Sequence, residues 1–86
     1  MTADAAIGNS GVPTRIFSIH IISGGTAAIV SLRDGISASA TAWITETGTI
    51  STGKTFAYGT YGALFPDGCF VDVDSNTTSV LVSWSQ

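Results

Sequence analysis

The chain has 86 residues, of which 44% are hydrophobic and only 10% are charged, and its formal net charge is −3. An ordinary soluble domain carries about 25% charged residues, so we expect this chain to bury surface against copies of itself or a larger partner. Its three cations, Arg15, Arg33 and Lys54, are too few for a surface that binds nucleic acid. The longest apolar run, residues 16–22, is far shorter than the roughly 20 residues of a membrane-spanning helix, so we expect no membrane partner.

A chain of this length predicts a single domain with a thin core, because it buries only about 60–65% of its extended-chain surface. Cys69 is the only cysteine and cannot form an intrachain disulfide, and the sequence offers no cluster of metal ligands. We therefore expect no cofactor, and stabilisation by association into a homo-oligomer, with a trimer as one form. The N-terminus has no basic region followed by an apolar stretch, so we expect no export signal and synthesis in a cytoplasm.

The predicted elements begin after an N-terminal segment of small residues that contains Pro13. We interpret residues 1–14 as a flexible N-terminal arm that clamps a neighbouring subunit, and residues 15–86 as one domain. The pattern of β-branched and alternating apolar residues predicts strands at 15–23, 26–33, 40–47, 54–58, 69–73 and 79–84.

Turn residues separate these strands. Gly24-Gly25 predicts a turn, Asp34-Gly35 predicts a two-residue hairpin, and Pro66-Asp67-Gly68 predicts a turn within a loop at 59–68. The last two strands, 69–73 and 79–84, are predicted to form a hairpin. No segment has the apolar spacing of a helix. The fold class is therefore all-β, a small antiparallel β-sandwich of jelly-roll-like form with about six to seven short strands.

Alternation along the strands predicts which side chains face outward. In the strand at 15–23, strict alternation places Phe17, Ile19 and Ile21 on one face. The other face is predicted to be a subunit contact, and it contains Ile16, His20 and Ile22. By the same logic Trp84 faces the core and Phe70 faces the outside. The residues predicted to contact other subunits or a capsid are therefore Pro13, Ile16, His20, Ile22 and Phe70.

Residues 48–55 match the phosphate-loop pattern, with Lys54 and Thr55 in the positions that bind phosphates and magnesium. A phosphate loop requires a helix directly after it, but Gly59 and Gly62 oppose a helix here. We interpret the segment as a hairpin turn.

Residues 72–76 present oxygens at alternate positions, as calcium loops do. However, Thr77 stands where glycine is needed and Ser83 stands where the closing glutamate is needed. We interpret this segment as an Asx-rich hairpin turn, with Asp72 on the solvent face of its strand.

The residues that could carry catalysis are isolated from one another in the sequence. His20, the only histidine, lies in the middle of a strand, and we interpret it as a packed or contact residue rather than a general base. Cys69 lies in an apolar strand without a basic neighbour, which favours a core residue over a reactive thiol. We therefore predict that the chain is not an enzyme.

Several aromatic residues could stack on sugars, and Tyr58 and Tyr61 are the loop candidates for this role. The aromatic residues are equally the large side chains that a thin sandwich requires for its core. No acidic or amide cluster accompanies them, which favours packing over a sugar site.

Four segments together resemble small all-β virion proteins of tailed bacteriophages, notably those of marine or cyanobacterial hosts. They are Arg15-Ile-Phe-Ser-Ile-His-Ile-Ile, Val30-Ser-Leu-Arg-Asp-Gly35, Gly62-Ala-Leu-Phe-Pro-Asp-Gly-Cys-Phe-Val-Asp-Val-Asp74 and Thr78-Ser-Val-Leu-Val82. The resemblance covers roughly residues 14–84. It implies a non-catalytic β-sandwich that is present in many copies in the virion, for example as a capsid decoration (cement) protein bound to the major capsid protein. It identifies no functional residue.

Two functions follow as expectations. The first is a capsid decoration protein that oligomerises and stabilises the head shell. The alternative is a carbohydrate- or host-binding module of a phage tail or fibre. An ATP-dependent enzyme that uses residues 48–55 is a third hypothesis, which the isolated His20 and the absence of paired carboxylates in the sequence disfavour.

Overall fold

The computed structural model describes residues 3–9 and 11–86, and in these residues it contains eight β-strands and no helix. The strands are β1 (Ala5–Ile7), β2 (Thr14–Ser23), β3 (Ile29–Asp34), β4 (Thr41–Thr47), β5 (Gly53–Ala57), β6 (Ala63–Phe65), β7 (Cys69–Val73) and β8 (Thr77–Ser85). Every strand pairing is antiparallel. The predicted all-β sandwich is confirmed. The strand number exceeds the prediction because β1 and β6, of three residues each, lie in the segments interpreted as arm and loop.

The strands form two sheets. The first sheet has the order β1-β7-β3-β4. In the second sheet β2 is central, with β8 along one side and β5 and β6 end to end along the other. Because β7 and β8 belong to different sheets, the predicted hairpin of residues 69–73 and 79–84 is wrong.

Asp74 explains the crossing from β7 to β8. Its carboxylate accepts hydrogen bonds from the Asn76 N–H at 3.1 Å, the Thr77 hydroxyl at 3.1 Å and the Ile29 N–H at 3.0 Å. These bonds turn the chain sharply and fix the turn to the start of β3, so the chain enters the other sheet instead of folding back. The Asx-rich turn predicted for this segment is present, but it is not a hairpin turn, because β7 and β8 belong to different sheets.

The connection between β3 and β4 is longer than predicted. β3 ends at Asp34 and β4 begins at Thr41, so Asp34-Gly35 is not a two-residue hairpin. The Asp34 carboxylate instead accepts the Asp67 N–H at 3.1 Å, in the turn between β6 and β7. That turn, at residues 66–68, is as predicted, with the Gly68 N–H donating to the Phe65 carbonyl at 3.3 Å.

The core lies between the two sheets, and among the described residues its buried side chains are mostly aliphatic, with the Phe65 ring buried among them and Phe56 and Tyr58 packed against it. Cys69 is among these buried residues, as predicted. Both ends of β2 carry a buried hydroxyl that has a hydrogen-bond partner. Thr14 donates to the Val12 carbonyl at 3.3 Å, and Ser23 accepts the Ala28 N–H at 3.1 Å. Buried polar groups are tolerated when they are paired in this way.

A β-bulge in β2 reverses the predicted orientation of Ile16. Ile16 pairs with Trp84 of β8 and Ser18 pairs with Ser83, so Phe17 is an extra residue. An extra residue shifts the alternation by one position. Ile16 therefore joins the core face and is 0% exposed, which corrects its predicted place on the outer face.

Part of the predicted N-terminal arm belongs to the domain. β1 lies within it and pairs with β7, Ile7 is 5% exposed, and the Asp4 carboxylate accepts the Val73 N–H at 2.8 Å. The side-chain amide of Gln86 binds the same segment, since its Oε1 accepts the Asn9 N–H at 3.2 Å. Residues 1, 2 and 10 of the predicted arm lie outside the described residues.

Candidate functional site

The pair Arg15 and Ser85 lies at one end of the outer face of the sheet formed by β8, β2 and β5. Nine further residues make up the rest of that face, and we name the surface of these nine residues the His20 face. Its residues form three adjacent rows, because each one has a direct neighbour on the adjacent strand. Its members are Ser79, Leu81 and Ser83 of β8, Ser18, His20 and Ile22 of β2, and Gly53, Thr55 and Ala57 of β5.

His20 lies at the centre of this face, between Leu81 on one side and Thr55 on the other. Its Nδ1 is 2.7 Å from the Thr55 hydroxyl oxygen. The imidazole ring covers Gly53, where a Cβ atom would overlap the ring at Nε2. Glycine is therefore required at this position for the ring to lie against the sheet.

The His20 face contains no Asp, Glu, Lys or Arg. Leu81 is its most exposed large apolar side chain, with 62% of its surface accessible. Two cations lie near its border. Arg15, near the start of β2, donates through Nη1 to the Tyr61 carbonyl at 3.2 Å. The Lys54 ammonium of β5 lies 5.2 Å from the centre of the Phe56 ring. The one ionisable side chain of the face is the His20 imidazole.

The outer face of the other sheet is different in character. Arg33 donates to the Oδ2 atom of Asp72 through Nη2 at 2.9 Å and Nε at 3.1 Å. Phe70 is paired with Ala6 on one side and with Arg33 on the other. Asp72 lies on the outer face of its strand, as predicted, and there it forms an ion pair with Arg33.

The five residues predicted as contacts do not form one surface. The structure brings His20 and Ile22 together on the His20 face. Ile16 is in the core, Phe70 lies on the opposite sheet, and Pro13 is exposed just before β2.

The two tyrosines proposed for sugar stacking differ in their surroundings. Tyr58 is half-buried, and its hydroxyl donates to the Glu46 carboxylate at 3.0 Å, which links the second sheet to the first. Burial, and then the Glu46 carboxylate, raise the pKa of Tyr58 above its usual range. Tyr61 is 82% exposed. Only Tyr61 therefore presents most of its ring to solvent.

Both tryptophans are partly exposed. The Trp43 ring stacks on Phe65 with their centres 5.7 Å apart, which joins β4 to β6. Trp84 has the core-facing orientation that alternation predicts, opposite the buried Ile16, but it lies near the end of β8 and is 44% exposed.

The Cys69 thiol is buried, and burial followed by the nearby Asp34 carboxylate raises its pKa to about 12. The thiol is therefore protonated at neutral pH and is a weak nucleophile. In residues 3–9 and 11–86 there is no group of three or more His, Cys, Asp or Glu residues placed to hold a metal ion. The same residues enclose no detectable cavity.

The phosphate-loop match at residues 48–55 is a turn followed by a strand, since β5 begins at Gly53 and includes Lys54. Ser51 has a φ of 58°, and its N–H donates to the Gly24 carbonyl at 2.9 Å. The turn that was predicted is confirmed. It is not a hairpin, however, because β4 and β5 belong to different sheets.

Sequence reasoning missed Leu81, Thr55 and Gly53 as members of the His20 face. The signal that could have identified Leu81 is the alternation in residues 79–84, which puts it opposite in phase to Val80 and Val82. The pairing of β5 and β8 with the two sides of β2 is a long-range property that no local pattern contains.

A comparison of the chain with protein-family models, with curated proteins and with solved structures finds no match. None of the described residues forms a helix long and apolar enough to cross a membrane.

Proposed function

We propose that the chain is a non-catalytic structural protein of a tailed-bacteriophage virion, a capsid decoration protein that self-associates and binds the major capsid protein of the head shell. The sequence resemblance to small virion proteins supports the virion assignment. The observation that carries the proposal is the His20 face, a surface without Asp, Glu, Lys or Arg in which Leu81 is 62% exposed.

The composition of this face favours docking to a protein surface. Removing an ionised side chain from water is costly, whereas small apolar and hydroxyl residues lose little hydration when they are covered. Charged residues are depleted at the centres of protein interfaces for the same reason. The other sheet carries the Arg33–Asp72 ion pair on its outer face, and that face remains in contact with solvent.

The size of the His20 face explains why many copies would act together. Three strands and five residues give about 10 by 14 Å between the outermost Cα atoms. That area is well below the roughly 800 Å² that each partner contributes to a standard interface. One subunit alone would bind weakly. Linked subunits bind more tightly, because the second contact forms at a high effective concentration.

The first test is composition. Mass spectrometry of gradient-purified virions from a tailed phage whose genome encodes this sequence should detect the chain in many copies per particle. Its absence from such particles overturns the virion assignment.

The second test compares two matched variants in co-sedimentation with those virions. Thr55→Lys places a charge on the His20 face, and we expect binding about tenfold weaker or worse. Thr45→Lys is the control, since Thr45 is an exposed strand residue on the other sheet whose hydroxyl lies 3.3 Å from that of Ser31. Circular dichroism verifies that both variants fold. If the two variants bind virions equally well, the His20 face is not the surface that contacts the virion.

Tyr61 favours a second candidate, a carbohydrate- or host-binding module, because its ring is 82% exposed. A glycan array would reveal a sugar ligand, and Tyr61→Ala should abolish the signal while its neighbour Thr60→Ala retains it. An array without any signal, together with unchanged phage adsorption for Tyr61→Ala, excludes this candidate.

A further inference from the structure

Most carboxylates of this domain have a partner within the subunit. All six acidic residues lie in the part of the chain that the structure describes. Those that accept a hydrogen bond or form an ion pair are Asp4, Asp34, Glu46, Asp72 and Asp74. The carboxylate of the sixth, Asp67, is exposed and has no such partner among residues 3–9 and 11–86.

The cations contain a complementary exception. Arg33 is paired with Asp72, and the Lys54 ammonium has an aromatic contact with Phe56. Arg15 is exposed, and among the described residues its guanidinium contacts no carboxylate and donates only through Nη1, to the Tyr61 carbonyl. A guanidinium has five N–H donors, so most of those of Arg15 remain available to a partner of opposite charge.

Arg15 and Asp67 lie at the same end of the domain. Arg15 is directly opposite Leu64 in the pairing of β2 with β6. Three residues of chain span at most about 11 Å and directly opposite residues are about 5 Å apart, so the Cα atoms of Arg15 and Asp67 are within about 16 Å. The main chain of Asp67 is fixed, because its N–H donates to the Asp34 carboxylate at 3.1 Å and its carbonyl accepts the Gly11 N–H at 3.4 Å.

The surface near these two charges is apolar. Leu64 is 43% exposed and lies beside Arg15, Tyr61 is 82% exposed, and Pro66 is exposed next to Asp67. We name these five residues the Arg15–Asp67 patch. Exposed ion pairs stabilise little by themselves, so the apolar side chains are needed for binding, and Arg and Tyr are enriched among the residues that dominate binding at interfaces. An apolar surface with one positive and one negative charge is complementary to itself.

We propose that the Arg15–Asp67 patch binds the same patch of a second copy about a two-fold axis. Arg15 of each copy then pairs with Asp67 of the other. A two-fold interface satisfies both pairs with one rotation, because each contact occurs twice. The proposal names the surface of the self-association in the proposed function and rests on that part of it. It does not depend on the phage assignment.

Charge explains why the second copy adopts one orientation. The chain has a net charge of −3, which opposes non-specific association between copies. A local pairing of opposite charges fixes the register of an interface and disfavours other arrangements. Arg15 lies beyond the nine residues of the His20 face, so the pairing leaves both His20 faces uncovered. One dimer therefore offers two linked contacts to the head shell, which raises the effective concentration of the second contact.

Charge reversal followed by mixing tests the pairing. Arg15→Glu brings two carboxylates together at each contact, and Asp67→Lys brings two cations together. In sedimentation equilibrium we expect either variant alone to have a dimer dissociation constant at least about tenfold above that of the unmodified chain. An equimolar mixture of the two variants has opposite charges at both contacts. We expect the mixed dimer to form with a dissociation constant within about threefold of the unmodified one.

Lys54→Glu is the matched control. It makes the same change in net charge as Arg15→Glu, at the other cation that has no carboxylate partner among the described residues. We expect less than about a twofold change in the dissociation constant, because salt screens exposed charges that lie outside the contact. Circular dichroism verifies that each variant folds. A purely structural role of Arg15 or Asp67 predicts no recovery on mixing.

The remaining outcomes separate this proposal from the proposed function. Single variants that associate as tightly as the unmodified chain, or a mixture that stays as weak as its components, overturn the pairing while the proposed function stands. Variants that dimerise normally but bind virions weakly also overturn it, and assign the patch to the head shell. An unmodified chain that is monomeric at every concentration overturns the pairing, and co-sedimentation of that monomer with virions then decides the proposed function separately.

Discussion

Two isoleucines of β2 provide the sharpest test of the bulge at Phe17. Strict alternation places Ile16 and Ile22 on the same outer face, whereas the bulge directs Ile16 into the core, where it is 0% exposed. Replacing a fully buried isoleucine with alanine costs about 2–5 kcal/mol through lost transfer energy and a residual cavity. Ile22 lies beside Gly53 and Ser79 at the surface, so solvent fills the vacated space. We expect a loss of about 1 kcal/mol there.

The difference is large relative to the whole stability. At about 0.05–0.15 kcal/mol per residue, a domain of this size is stable by about 4–13 kcal/mol. Each kcal/mol lost lowers the melting temperature by about 4–8 °C for a domain of 60–100 residues. Ile16→Ala should therefore melt at least 8 °C below the unmodified chain, and Ile22→Ala much closer to it.

Urea unfolding followed by tryptophan fluorescence measures both variants, at several protein concentrations so that association is separated from folding. The slope against urea should be unchanged, which shows that the midpoint reports stability. Equal losses for Ile16→Ala and Ile22→Ala, or a larger loss for Ile22→Ala, would refute the bulge and the orientation derived from it.

Two further predictions concern the His20 face and alkaline pH. Gly53→Ala places a Cβ atom against the His20 ring, so the ring should leave Thr55; loss of the nuclear Overhauser contact between that ring and the Thr55 methyl group detects this, and its persistence contradicts the geometry. Burial raises the pKa of the Cys69 thiol from 9.0 to about 12 and also raises the pKa of Tyr58 from 10.0. Both groups have a higher pKa in the folded than in the unfolded chain, so folding is favoured while they are protonated. The free energy of unfolding is therefore unaffected by these groups below about pH 9 and declines above it, by at most about 1.4 kcal/mol per pH unit for each group. Cys69→Ala should flatten the decline that begins near pH 9 in urea titrations at fixed pH, and an unchanged profile contradicts the thiol's part in it.

Local sequence pattern located most of the strands because β-branched and alternating residues favour extended backbone at each position independently. The segments predicted at 15–23, 40–47 and 69–73 each coincide within a residue with β2, β4 and β7. Pattern could not locate β1 and β6, since three residues are too few for an alternation to emerge. It also could not assign β7 and β8 to different sheets, because the Asp74 carboxylate decides that through a contact with distant Ile29.

The candidate site was only partly predictable for a similar reason. His20 and Ile22 were placed correctly on an outer face because alternation holds between positions 18 and 22. Ile16 was misplaced because one inserted residue, Phe17, reverses the alternation without any signal in the composition. Leu81 joins His20 only through the register of β8 on β2, and register is fixed by the packing of whole strands.

The position of β2 between strands on both sides determines how the domain carries tension. A pull along the axis of β2 loads its bonds to β8 and to β5 and β6 simultaneously, in shear. A pull on β1 instead opens three residue pairs with β7 one after another. A force applied at β2 or β8 should therefore be resisted more strongly than one applied at residues 5–7.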